Sequence, residues 1–234
     1  MPLWILRHGR SLANEAEIVV STLANGVLPR YTLAPAGVEQ AAAAGRALAA
    51  QLPATGMTPA DVRFVASPFS RTLATARTAA AQLGLGDDVV QPEEALRERF
   101  FGSPAELGPH RCGRNLWLCE TSWALTRVHL PRSAYEGVWA ADTLDAHSHP
   151  GGDGESVHEV ADRLRAALLR HVGGLTASHA ERAALVLVAH GDTLQILQAV
   201  LANAADDADG AAAEERLRTH RRYGMATGEL RRIW

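Results

Sequence analysis

The chain has 234 residues, 47 % of them hydrophobic and 21 % charged, with a net charge of −3, which suits one soluble domain of ordinary composition, or one carrying a substantial insertion, and gives no general attraction for nucleic acid. It contains no lysine, so all 23 basic residues are arginine; a GK[ST] phosphate loop and a Schiff-base lysine are both excluded, and any bound anion must be held by arginine, histidine or backbone N–H groups. The two cysteines, Cys112 and Cys119, are too few for a disulfide framework and lack the companions of a zinc site, so they read as reduced thiols.

In chain order, Leu3–Leu6 is an unbroken apolar run of the kind found in strands covered on both faces. It begins almost at once and runs into a charged motif, so no signal peptide is expected. No apolar run reaches membrane-spanning length, so the expected location is the cytoplasm, with no membrane partner. Val38, Ala41, Ala42, Gly45, Leu48, Ala49 and Leu52 follow helical spacing. Val62–Ala66 is a second strand, and Ser67 and Pro68 look like the N-cap and first position of a helix over Phe69–Leu83. Val89–Val90 is expected within a fourth strand.

The segment from about Gly102 to Gly152 lacks long periodicity and holds three of the five tryptophans. It is expected to fold over one edge of the sheet as a lid, with short helices near Leu116–Val128 and Tyr135–Leu144. Val157, Val160, Ala161, Leu164, Leu168 and Val172 then mark a helix, and Leu185–Ala189 a third buried strand. Residues 202–213 form an Ala/Asp-rich surface connection, and Gly228–Trp234 is a candidate edge strand. The alternation implies a three-layer α/β/α sandwich around a mostly parallel, mixed sheet.

In open α/β sheets, ligands bind beyond the carboxyl ends of the strands. The three buried apolar strands deliver Arg7-His8-Gly9-Arg10-Ser11, Ser67-Pro68-Phe69-Ser70-Arg71 and His190-Gly191-Asp192 to that end. Two histidines, two arginines and the N-termini of following helices would converge there. That inventory suits a phosphoryl group.

These segments resemble the histidine phosphatase superfamily, which includes the cofactor-dependent phosphoglycerate mutases. The resemblance rests on Leu6-Arg7-His8-Gly9 with Ser11 and Asn14, Ser67-Pro68 with Arg71 and Thr78-Ala79, and Leu96-Arg97-Glu98-Arg99-Phe100-Phe101-Gly102. Gly154-Glu155-Ser156 and Ala189-His190-Gly191 complete it, all in the family's order and spanning nearly the whole chain. It implies a single domain over 1–234, with residues 102–152 as lid. His8 is then the nucleophile, as a neutral imidazole whose other nitrogen donates to a backbone carbonyl. Arg7 and Arg71 hold the equatorial oxygens, and His190, as imidazolium, donates to them. Glu98 is the general acid and base, with a pKa raised by burial. Ser11, Asn14 and Gly191 are further phosphate-contact candidates. No metal or cofactor is implied, and the partner is a small phosphorylated substrate.

Competing assignments are specific. Glu93, Glu94 and Glu106 are alternative carboxylates to Glu98. His147 and His149 read as lid surface rather than a metal pair. Arg99, Arg111, Arg114, Arg127 and Arg132 either meet a second anionic group or face solvent. Arg10 departs from the family's usual Glu or Gln, Ala34 from its capping Thr, and Asp192 from a small residue; Asp192 is expected to cap the following helix. The late motif Pro150–Ser156 favours phosphatase over mutase chemistry, and an inactive phosphate-binding module is a third reading.

Overall fold

The computed structural model describes residues 1–108, 134–173, 183–206 and 210–234. The expected helix near Leu116–Val128, both cysteines, and Arg111, Arg114, Arg127 and Arg132 lie outside the described residues.

Five strands form one sheet in the order β3-β2-β4-β1-β5, with β1 Leu3–Arg7, β2 Val62–Ala66, β3 Val90–Pro92, β4 Ala184–Ala189 and β5 Leu230–Arg232. β1 pairs in parallel with β4, β4 with β2, and β2 with β3, while β5 runs antiparallel along β1. The apolar runs make this sheet because both faces are covered. On β4, Leu185 and Leu187 pack on one side, where helices α6 (Val157–Gly173) and α7 (Gly191–Ala205) lie. Ala184, Val186 and Val188 point the other way, onto α3 (Pro35–Gln51) and α4 (Ser70–Ala81). Trp4 and Phe64 are fully buried in that second layer. The three-layer sandwich and the mixed edge strand are as the sequence implies.

The other α-helices among the described residues are short α1 (Leu12–Glu15) and α2 (Leu23–Gly26), the lid helix α5 (Ala134–Leu144) and α8 (Gly210–Arg218). α3 has Ala34 at its N-cap with no side-chain cap and Pro35 at its start. Its missing cap costs about 0.5–2 kcal/mol relative to Ser or Thr there. One expectation is corrected at α4, whose N-cap is Phe69 rather than Ser67. Ser67 instead continues the sheet, its N–H donating to the Val188 carbonyl at 2.9 Å. Pro68 and Phe69 therefore become the turn. No helix among the described residues is long and apolar enough to cross a membrane.

Candidate active site

The carboxyl ends of β1, β2 and β4 bring Arg7, His8, Arg71 and His190 together. The neighbouring loop adds Glu98. His8, Arg71, Glu98 and His190 are only 3, 4, 9 and 0 % exposed. The β1–β4 register places the ends of those strands side by side, pairing Arg7 with Ala189. The His8 N–H donates to the Ala189 carbonyl at 3.0 Å.

His8 Nδ1 lies 2.8 Å from the Gly9 carbonyl oxygen. A carbonyl only accepts, so Nδ1 carries the proton and Nε2 keeps its lone pair. Burial, then the charges of Arg71 and Arg7, hold the His8 pKa well below its ordinary value. The ring is thus neutral and nucleophilic at physiological pH.

Both guanidiniums are pinned by main-chain carbonyls. Arg7 Nη1 donates to Met225 O at 2.5 Å, and Arg71 Nη2 to Val20 O at 3.0 Å. Arg7 Nε and Arg71 Nη1 are buried with no hydrogen-bond partner among the described residues. A buried donor left unpaired costs about 1–3 kcal/mol, more when charged. Two such donors flanking one imidazole fit an anion with several oxygens. Gly191 belongs to this arrangement sterically, since a Cβ there would stand 3.1 Å from the Arg7 guanidinium carbon.

His190 corrects an expectation. Arg71 Nε donates to its Nδ1 at 3.2 Å, and its Nε2 lies 2.8 Å from Ser67 Oγ. Burial and the adjacent Arg71 push its pKa well below the usual value. It is a neutral ring that accepts from Arg71, not an imidazolium. Its ring centroid is 5.2 Å from that of His8, in an edge arrangement.

Glu98 is the carboxylate with the expected environment. Burial raises its pKa to about 7, against the opposing pull of Arg71 and Arg7 and with help from Asp192. The Arg99 N–H and Thr193 Oγ1 donate to its Oε1 at 3.0 and 3.2 Å. The alternatives are engaged elsewhere: Glu93 pairs with Arg170 and His171, Glu106 accepts from Ser21, Thr22 and Asn25, and Glu94 is exposed. The Glu98 loop is braced by Glu155 and Arg163. Glu155 accepts from the Phe100 N–H at 3.0 Å and pairs with Arg97 and Arg163. Arg163 donates to the Arg97 carbonyl at 3.1 Å.

The lesser candidates divide. Ser11 and Asn14 line the pocket, yet they also form the capping box of α1, with Asn14 N–H donating to Ser11 Oγ at 3.2 Å. Arg10 turns outward to Glu15 at 3.5 Å. Asp192 is not a cap, because α7 already begins at Gly191 with His190 at its N-cap. It is buried and accepts from Trp139 Nε1 at 3.0 Å, His220 Nε2 at 3.1 Å and Arg99 Nη1 at 3.2 Å. Asp192 lines the cavity above His8, whereas Arg99 meets neither solvent nor the cavity wall. Arg99 is fully buried and forks onto Asp142 of the lid helix at 2.6 and 2.8 Å.

The cavity above His8 has a volume of about 420 Å³. Tyr135, Trp139, Gln195 and Arg221 wall it, and sequence reading passed over all four. Tyr135 and Trp139 stand at i, i+4 on α5, a same-face aromatic pair that was visible as spacing. Their rings stack at 5.2 Å. Met225 and Val20 were also missed, since they act through carbonyls, which leave no sequence signal; Ser67 was read as a cap and motif residue, and its contact with His190 Nε2 was not foreseen.

Residues 3–124 match the histidine phosphatase superfamily, branch 1. No curated protein matches the chain in sequence. Among solved structures, the native mycobacterial glucosyl-3-phosphoglycerate phosphatase is similar at 23 % identity and TM-score 0.64, covering 99 % of this chain and 88 % of that one. The same mycobacterial enzyme with inorganic phosphate aligns at 26 % identity and TM-score 0.53, over 86 % and 78 %. Phosphoserine phosphatase from Entamoeba histolytica, with 3-phosphoglyceric acid, shares 14 % identity at TM-score 0.62, over 98 % and 88 %.

Proposed function

The chain belongs to the histidine phosphatase superfamily, and we propose that it hydrolyses small phosphate monoesters through a phosphohistidine on His8. The observation that carries this is the pair of buried guanidinium donors, unpartnered among the described residues, beside a neutral imidazole with its lone pair available.

His8 Nε2 attacks phosphorus as the ester P–O bond opposite it breaks. Arg7 and Arg71 hold the equatorial oxygens and supply the positive charge that phosphoryl transfer asks of a protein. His190 is a positioning residue, fixing the Arg71 fork through Nδ1. Glu98, with its pKa near 7, gives its proton to the departing alkoxide. As the carboxylate it then takes a proton from the water that cleaves the P–N bond. A general acid of this kind contributes about 10²–10⁴-fold.

The alcohol portion of the substrate rests against Tyr135, Trp139 and Gln195. A cavity of about 420 Å³ lies toward the small end for ligand sites. The neighbours named for glucosyl-3-phosphoglycerate and phosphoserine support the same monoester class.

The test is p-nitrophenyl phosphate turnover in excess EDTA by wild type and His8→Ala. Turnover by wild type and its loss in the variant are expected. Equal rates for the two, or wild-type activity that disappears on chelation, would overturn the reading.

A further inference from the structure

Among the described residues, the grouping of histidine and carboxylate side chains able to hold one metal ion is His147, His158 and Glu214, whose ligand atoms all lie within 4.8 Å of one another. None of the three lines the cavity above His8. They come from three elements: the turn after the lid helix α5, the first turn of α6, and α8. His158 Nε2 lies 2.7 Å from Glu214 Oε2. The His147 ring stacks on the His158 ring with centroids 3.9 Å apart and planes 2° from parallel. His149, the partner considered for His147 on sequence grounds, instead turns to the Gly154 carbonyl at 2.8 Å.

We propose that His147, His158 and Glu214 form a binding site for a zinc-like divalent cation that clamps the base of the lid to the body of the fold. Two imidazoles and a carboxylate with remaining positions open to water are a borderline-soft N₂O donor set, suited to Zn²⁺ more than to Mg²⁺ or Ca²⁺. Zinc bonds of about 2.0–2.2 Å place neighbouring ligand atoms roughly 3.3 Å apart. The His158–Glu214 pair is already slightly inside that distance, so the ion enters by replacing the shared proton. The two stacked rings cannot both aim an in-plane lone pair at one ion, so binding requires the exposed His147 ring to turn about its side-chain torsions.

The backbone holds the two rings close before any ion arrives. The His158 N–H donates to the Ala146 carbonyl at 3.4 Å, and the His147 N–H to Asp145 Oδ1 at 2.9 Å. Ala146 between them is fully buried. The turn is thus anchored against the start of α6, and Glu214 approaches from α8, whose Leu217 is buried in the same core layer. An ion at this point ties the C-terminal end of α5, the helix that carries Tyr135 and Trp139 into the cavity, to two elements of the body. Its role is structural, separate from the His8 chemistry.

The experiment is calorimetric titration of Zn²⁺ into the full chain in phosphate-free buffer, alongside His147→Ala and Glu214→Gln, with melting temperature as second readout. Losing even an outer-shell partner typically weakens metal binding by roughly 10–100-fold, so each variant should lose at least about tenfold in affinity. Zinc should raise the wild-type melting temperature and leave both variants unmoved, and EDTA should leave wild-type p-nitrophenyl phosphate turnover at 25 °C unchanged. No zinc binding, or binding of equal strength in all three proteins, would overturn the site. Neither result bears on the phosphatase reading, which the His8→Ala comparison decides by itself.

Discussion

Gly191 lies against Arg7 so closely that a Cβ on it would stand 3.1 Å from the guanidinium carbon and 3.3 Å from Nε, the donor with no partner among the described residues. The first residue of α7 therefore acts on the site through what it lacks.

Gly191→Ala should displace that guanidinium by a few tenths of an ångström while leaving the core intact. Small misplacements of phosphate-holding groups are expensive in rate, up to about 10²-fold for 1 Å. The expected result is a 10- to 100-fold fall in kcat/KM, weaker inhibition by inorganic phosphate, and little change in melting temperature. Wild-type kinetics in this variant would mean that Arg7 does not grip the substrate.

Glu98→Gln should separate substrates by leaving group. Alkyl phosphates need a proton on the departing oxygen, so their turnover should fall by about 10²–10⁴-fold. p-Nitrophenyl phosphate, with its stable phenolate, should lose far less in the phosphoryl-transfer step, read as the burst of nitrophenolate, since the later hydrolysis of phosphohistidine loses its base with either substrate. In wild type, kcat for alkyl phosphates should decline above pH 7, as Glu98 loses the proton it donates. His8, whose pKa burial and the flanking arginines hold well below its ordinary value, is not the group that titrates in that decline. An equal loss for both substrate types in that first step would argue against Glu98 as the acid.

The same carboxyl makes a stability prediction. Its pKa is raised from 4.5 to about 7 on folding, so the folded state binds more protons and stability must fall as pH rises through that window. At about 1.36 kcal/mol per unit, the whole effect is about 3 kcal/mol. Urea midpoints of wild type should drop relative to Glu98→Gln between pH 5 and 8. Parallel pH profiles for the two proteins would contradict the burial argument.

Asp192→Asn tests the network beneath the cavity wall. Burial by itself would raise the Asp192 pKa; the His220 charge, its hydrogen bond and Arg99 reverse this and hold it well below the carboxylate range. Removing one partner of a buried pair typically costs about 3–5 kcal/mol. The His220 pKa is raised, burial being outweighed by Asp192. The pair's contribution is thus complete below the unfolded histidine pKa and lost as pH climbs through the folded one. The variant's deficit should be larger at pH 6 than at pH 9, measured by denaturant unfolding.

Much of this molecule was legible in the sequence because its strands are short, buried and apolar. Leu3–Leu6, Val62–Ala66 and Leu185–Ala189 could be placed to within a residue, and reactive residues follow each directly. What was hidden depends on partners distant in sequence. Nothing local says that Ser67 would meet His190 rather than cap a helix, or that Asp192 would meet His220, Arg99 and Trp139. The neutral state of His190 was misjudged because the imidazolium reading took account of the anion and not of Arg71 Nε beside the ring. The carbonyls of Val20 and Met225, which aim both guanidiniums, have no residue type to betray them.

The central claim is a covalent phosphoryl group on His8 Nε2. It is tested most directly by mixing the enzyme with a ³²P-labelled monoester, quenching rapidly in alkali and mapping the label. Phosphohistidine survives alkali and is lost in mild acid, unlike phosphoserine. Label that is acid-labile, confined to the peptide containing His8, and absent in His8→Ala is the expected result. Hydrolysis at full rate with no label on that peptide would contradict it.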